Sequence, residues 1–397
     1  LTALAGGLSA DRPLGEALPV LSSWRRDQRQ RSLIDQWRYH VTWKPVSPRP
    51  TTPPTGRWLL LTPPTGAQEV AQWCEDGLRT TGAQVERTST LPGDLSGVTG
   101  IVSLLALEDA PLERGVAPGL TGNLALAQEL GRSGGSARVW CLTRGAVSTG
   151  PSDPLTHPAQ AQTWGLGRVI ALEHPTRWGG LIDLPRTLDA RAWQRTAALL
   201  TVEAGEDQVA VRSTGIHARR VVRAPQAPAT PVRLRGTVLI TGGTGGLGAR
   251  VARWAAAHGA GHLVLTSRRG PDAPGAADLV ASIEELGASA TVIACDAADH
   301  TALHALKERL EADGTPVTTV VHTAGVGQLS ALECVGAGEV VSVVEGKVAG
   351  AVALDAVFGG GGLDAFVLFS SIAATWGSGG QGVYAAANAH LDALAEQ

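Results

Sequence analysis

Along much of the chain, short apolar runs alternate with amphipathic stretches of helical length. In the first half the runs are RWLLLTPP, GIVSLLAL, ARVWCLTRG and DQVAVRS, with AQEVAQWCEDGL and GNLALAQELG between them. A second and stronger series reads TVLITGGTGGLGARVARWAAAHG, HLVLTSRRG, a helix to about Leu286, ATVIACDAAD, a helix to about Ala312, TTVVHTAG, a long helical region around Lys347, and DAFVLFSS. Strands that alternate with helices form parallel sheets covered on both faces. The pattern therefore predicts an α/β chain with two doubly wound parallel sheets.

Other stretches mark the boundaries. Up to about Gln36, the apolar residues Leu18, Leu21, Trp24, Leu33, Ile34 and Trp37 are interleaved with arginine and aspartate, as in short amphipathic helices too small to fold alone. That segment must pack on something: it is either an arm folded onto its own domain or a dimerisation element. WRYHVTWKPV then reads as a strand, followed by the link SPRPTTPPTG. A second Pro/Ala-rich link, RAPQAPATPVRLRG from Arg223 to Gly236, separates the two series. The expected division is 1–36 arm, 37–225 first half and 226–397 second half. Both halves are Rossmann-like, but the turn after the first strand of the first half is TPPTG, where prolines replace the donors and glycines a phosphate needs. The first half is thus expected to be degenerate and structural.

Composition narrows the function. A net charge of -3 over 397 residues argues against a nucleic-acid surface. Cys74, Cys141, Cys295 and Cys334 have no CxxC or CxxH spacing, so neither a metal site nor a disulfide framework is expected. With no basic, apolar leader and no bilayer-length apolar run, the expectation is a cytoplasmic protein without a membrane partner. Lysine occurs only at positions 44, 307 and 347, which singles out Lys347.

The turn TGGTGGLG, from Thr241 to Gly248, sits between an apolar strand and a helix. Glycines there allow a tight turn and close backbone approach, and the helix N-terminus faces a pyrophosphate. Thr241, Gly242, Thr244, Gly246, Leu247 and Gly248 are therefore candidate dinucleotide contacts. At the end of the next strand stand Ser267, Arg268 and Arg269 in place of an acidic residue, which favours the 2′-phosphate of NADPH over NADH. Asp296 follows the third strand at the height of the adenine, and Ala324 and Gly325 follow the fourth, where small residues admit the cofactor's sugar.

One of only two tyrosines, Tyr384, lies thirteen residues after Ser371 and four before Asn388, at the start of a helix. A ketone reduction needs a proton donor at the oxygen while hydride reaches the carbon. Tyrosine has an ordinary pKa of about 10 and donates well only where a cation eases phenolate formation. Lys347 can supply that cation.

At these residues the chain resembles the short-chain dehydrogenase/reductase superfamily and, more closely, the ketoreductase domains of modular polyketide synthases. The resemblance rests on YHVTWKPV, TGGTGGLG, HLVLTSRRG, VVHTAG, KVAGA, VLFSSIAATWGSGGQGVYAAAN and LDALAEQ, and covers nearly the whole chain. The general superfamily has lysine four residues after the tyrosine; here Asn388 stands there and the lysine is Lys347, the exchange that polyketide ketoreductases share. The resemblance implies that Tyr384 is the acid, that Ser371 hydrogen-bonds the carbonyl oxygen and that Lys347 lowers the tyrosine pKa. It gives Asn388 the ordering of the proton relay or of the lysine. VGQLSAL lacks the Leu-Asp-Asp signature of one stereochemical type, and Trp376 stands eight residues before the tyrosine, as in the A-type. Gln381, three before the tyrosine, resembles the A1 subtype; Trp376 is a substrate-orienting candidate, though it could merely shield the cleft. The chain ends within the tyrosine's helix, whereas the family continues through another strand, a lid and a final strand. The implied function is NADPH-dependent reduction of a β-ketoacyl chain on an acyl carrier protein, beside other domains of a synthase module, to an L-β-hydroxyacyl thioester without α-epimerisation. Before Trp37 the resemblance is to small dimerisation elements. Two rivals are a redox-inactive or epimerase-only domain and a free-standing reductase of small carbonyl compounds.

Overall fold

The computed structural model describes residues 14–47, 53–133, 136–201, 205–225 and 232–397. Helix α1, Leu14–Trp37, is one continuous helix where separate short ones were expected. Beyond Pro19 it contains no glycine or proline to break it. Its Trp24, Leu33, Ile34 and Trp37 are exposed, and the side chains of Leu18 and Leu21 lie outside the described residues. The described residues fall into two compact units, one holding those up to Thr42 and those from Arg220 to Pro225, the other Trp43–Arg219 with all from 232 onward.

The first half follows with β1 (Tyr39–Val46), β2 (Gly56–Leu61), α2 (Gln68–Thr80), β3 (Ala83–Thr88), β4 (Val98–Ser103), α3 (Pro118–Ser133) and β5 (Arg138–Arg144). Then come α4 (Ala161–Glu173), β6 (Trp178–Leu184), α5 (Ala190–Ala197), β7 (Gln208–Arg212) and β8 (Gly215–Arg223). The sheet order is β1-β8-β7-β6-β5-β4-β2-β3, parallel from β3 to β7 and antiparallel between β7 and β8. Side chains alternate between its faces: Leu59, Ile101 and Cys141 enter one core, while Leu60, Val102, Trp140 and Leu142 enter the other. At the turn after β2, Gly66 (φ +90) is backed by protein, since a Cβ there would lie 2.6 Å from the Leu107 carbonyl oxygen.

The second half runs β9 (Thr237–Thr241), α6 (Gly246–Ala257), β10 (His262–Ser267), α7 (Ala276–Glu284), β11 (Ser289–Ala294), α8 (His300–Ala312) and β12 (Val317–His322). It continues with α9 (Ala337–Val344), α10 (Gly350–Phe358), β13 (Ala365–Leu368), α11 (Ile372–Trp376) and α12 (Gly382–Glu396). The order β11-β10-β9-β12-β13 is parallel throughout. It reverses direction at β9, which opens a crevice at the carboxyl ends of the strands, where such sheets bind ligands. Leu332, Val344, Val383 and Ala386 of this half share one apolar core with Leu59, Ile101, Trp164 and Leu166 of the first. No described helix is long and apolar enough to cross a membrane.

Candidate active site

A cleft of about 1070 Å³ opens at the crevice beside β9, and its walls include Gly242, Thr244, Gly246, Leu247, Gly248, Ser267, Arg268, Asp296, Ala324 and Gly325. The glycines do different work. Gly242 holds φ +67 with Ala324 at its back, where a Cβ would come within 2.9 Å of the Ala324 backbone. Gly248 lets α6 close on the turn, since a Cβ there would lie 2.3 Å from the Gly242 carbonyl oxygen. Gly246, the first residue of α6, has open space where its Cβ would be, so a phosphate could reach the helix N-terminus. Arg268 and Arg269 are exposed on the same wall. These residues fit a dinucleotide with a 2′-phosphate.

Thr241 stands apart from this lining. It is buried, and its hydroxyl lies 2.6 Å from Nδ1 of His322. On the other side of the imidazole, Nε2 lies 2.9 Å from the Lys347 carbonyl oxygen and must donate to it; Nδ1 then accepts from Thr241. Burial holds the His322 pKa down to about 4, against the opposing pull of its hydrogen bond to the Lys347 carbonyl, so the ring is neutral near pH 7. VVHTAG was legible as a cofactor-side motif, but nothing in it announced that its histidine ties the glycine turn to the lysine.

Lys347 sits in a π-helical turn, Glu345–Ala349, between α9 and α10. Such a turn adds a residue to the helix and re-aims its side chains. The lysine is buried; its ammonium donates to the Phe369 carbonyl oxygen at 2.9 Å and lies 5.6 Å from the centroid of the Tyr384 ring. Gly325 gives its stem room, since a Cβ there would lie 2.9 Å from Cε of Lys347. Burial lowers the lysine pKa to about 8, and the Asp392 carboxylate pulls the other way.

Tyr384 is the third residue of α12 and is half-buried. Its backbone N–H and that of Val383 both donate to Oε1 of Gln328 at 3.0 Å, so a side chain from the loop after β12 caps the helix that carries Tyr384. Ser371 caps α11, its Oγ accepting the Ala373 N–H at 3.3 Å. Asn388 is fully buried; its amide donates to the Tyr384 carbonyl oxygen at 2.7 Å, while Oδ1 has no hydrogen-bond partner among the described residues. Trp376 is half-exposed at the end of α11, and Gln381 precedes α12. Sequence reasoning also missed Arg114 of the first half, which grips the carboxylate of Glu345 through two hydrogen bonds of 2.6 Å at the edge of the cleft.

Among known proteins, residues 236–397 match the family model "KR domain", and residues 41–221 match "Polyketide synthase extender module SpnB, Rossmann fold domain". Polyketide synthase GfsA of Streptomyces halstedii is 47% identical across 100% of this chain, which spans 6% of that relative's length. A solved structure described as an A1-type ketoreductase is 46% identical, with a TM-score of 0.84 over 91% of this chain and 80% of its own. Another, of a C2-type ketoreductase from a modular polyketide synthase, is 39% identical with a TM-score of 0.82, covering 91% of this chain and 80% of its own.

Proposed function

The chain belongs to the ketoreductase domains of modular polyketide synthases, oxidoreductases that reduce β-ketoacyl groups with NADPH as the typical cofactor, and from that premise we propose its own reaction. It reduces a β-ketoacyl thioester carried on an acyl carrier protein to the L-β-hydroxyacyl thioester, leaving the α-carbon unepimerised. The observation that carries this reading is the buried Lys347 ammonium beside the Tyr384 ring, its stem packed against Gly325 of the cleft wall. It also counts against a redox-inactive domain, which has no need of a buried cation beside a phenol.

When bound, NADPH supplies the hydride that reaches the carbonyl carbon. The glycine turn and the α6 N-terminus would hold its pyrophosphate, and Arg268 its 2′-phosphate. Tyr384 gives its hydroxyl proton to the carbonyl oxygen, Ser371 hydrogen-bonds the same oxygen, and the Lys347 ammonium stabilises the phenolate left behind. Asn388, with Oδ1 open to a further hydrogen bond, orders the route by which a proton returns. Similar overlap with structures described as A1-type and C2-type means that the global fold does not select the stereochemical type. Trp376, Gln381 and the absence of Leu-Asp-Asp in VGQLSAL favour the A1 reading.

The same reading assigns 37–225 to bracing and 226–397 to catalysis, within a larger cytoplasmic synthase. It assigns 1–36 to dimerisation, favoured by the exposed Trp24, Leu33, Ile34 and Trp37; a monomeric mass by light scattering would count against that role. The central test is NADPH oxidation with a 2-methyl-3-ketoacyl thioester, followed by chiral analysis. An L-hydroxy product with unepimerised methyl is expected, together with a loss of roughly 10²–10⁴ in turnover in Tyr384→Phe. A D-hydroxy product would overturn the A-type reading, and epimerised methyl the A1 reading.

A further inference from the structure

Between Ser371 and Tyr384 the chain forms one short helix, α11, and then a glycine-rich loop, yet side chains from the first half hold its backbone at three points. Arg168 of α4 donates through Nη1 to the Ala374 carbonyl oxygen. Arg219 of β8 donates to the Thr375 carbonyl oxygen at 2.7 Å. Glu173, at the end of α4, accepts the Gly380 N–H on Oε1 and the Leu332 N–H on Oε2, each at 2.8 Å. Gly377 (φ +81) runs so close to α4 that a Cβ would lie 3.0 Å from the Arg168 carbonyl oxygen.

The two guanidiniums form one unit, because Gln208 Oε1 accepts from Arg168 at 2.9 Å and from Arg219 at 3.4 Å. Asp207 and Asp392 supply opposing charge, yet Arg168 is buried and its charged form is penalised there. An apolar residue would pack the same space at lower desolvation cost. What an arginine adds is a rigid planar fork that fixes a carbonyl in direction as well as distance. The residues so fixed are neighbours of Trp376 and Gln381, since Thr375 precedes the one and Gly380 the other.

We propose that Arg168, Arg219 and Glu173 of the first half are positioning residues that set product configuration, by fixing where Trp376 and Gln381 stand over the substrate. The inference rests on the reading that these two residues face a prochiral ketone in the cleft. A 100:1 preference for one face is a difference of about 2.7 kcal/mol, so a small displacement of either side chain is enough to erode it.

The test uses the full chain with Arg219→Leu, Arg219→Lys and Glu173→Gln, because Arg168 is buried deeply enough for its replacement to prevent folding. Two substrates are reduced in parallel, the ketoacyl thioester and a prochiral cyclic ketone, and product ratios are compared with those of the unsubstituted chain. Arg219→Leu and Glu173→Gln are expected to lower the ratio at least tenfold and to speed amide exchange across 372–381, while the KM for NADPH stays within twofold. Arg219→Lys, which restores one donor, should recover part of the ratio. Unchanged ratios in both loss variants, whatever the fall in rate or melting temperature, would leave these residues a merely structural role and overturn the proposal. Unaltered exchange across 372–381 would do the same. An unsubstituted chain that reduces the cyclic ketone but not the thioester would sink the β-ketoacyl reading, while the shift in ratio on the ketone still decides the clamp.

Discussion

At the scale of single residues, the site depends on a lysine held where its charge is costly. Lys347 lies among buried groups, and its pKa of about 8 sits below the usual value for lysine because water is excluded from it. On the roles proposed above, reduction needs Tyr384 protonated and Lys347 charged, since the ammonium is what makes the phenolate tolerable. As pH rises through about 8 the lysine loses its proton, the support for the phenolate goes, and kcat for reduction is expected to fall. Lys347→Met should lower kcat at neutral pH and erase that limb; an unaltered limb in the variant would assign it to another group. The motifs singled out Tyr384, Ser371, Lys347 and the glycine turn as candidates, since each lies in a short run whose spacing suggests that chemistry. His322, Gln328 and Arg114 stayed hidden because each acts on a partner far along the chain. The Lys347 carbonyl accepts from His322, the Tyr384 N–H donates to Gln328, and Glu345 pairs with Arg114.

At the scale of elements, the contact that places Tyr384 is the packing of α12 on α4. Gly165 of α4 makes it close: a Cβ there would lie 2.3 Å from the Ala385 carbonyl oxygen and 2.6 Å from Cα of Ala386, and backbone cannot swing aside as a side-chain tip does. Ala385 follows Tyr384 directly, so separating the helices displaces the tyrosine. Gly165→Ala is expected to cost roughly 1–3 kcal/mol of stability by overpacking and to lower kcat with it. An unchanged unfolding midpoint and kcat would show that the helices give way harmlessly. The strands RWLLL, GIVS, RVWCLTR and QVAVR were visible as apolar runs, but β3, β6 and β8 were not. β3, AQVERT, is an edge strand with mostly exposed polar side chains, and β6, WGGLIDL, has two glycines after Trp178 that break the apolar run. The π-helical turn at Lys347 was equally silent, because helical periodicity registers a helix there and not one extra residue.

At the scale of the whole molecule, the sequence divides at a Pro/Ala-rich link, but the apolar core does not. Val344, Val383 and Ala386 of the second half bury against Leu59, Ile101, Trp164 and Leu166 of the first, on the face of the first sheet that carries α4. The hydrophobic effect scales with the apolar area removed from water, and cutting the chain at the link would return that area to solvent on both pieces. Polar tethers run the same way, from Arg114 to Glu345 and from Glu173 to Leu332 and Gly380. Residues 232–397 produced alone are therefore expected to aggregate, or to stay monomeric with fluctuating packing, a non-cooperative thermal transition and strong binding of an apolar dye. Producing residues 1–225 alongside should return a soluble pair with one cooperative transition. A lone second half that unfolds cooperatively and binds NADPH as the full chain does would show that its core closes by itself. The first half would then be an attachment, and the clamp on the loop between Ser371 and Tyr384 would be all that it lends to catalysis.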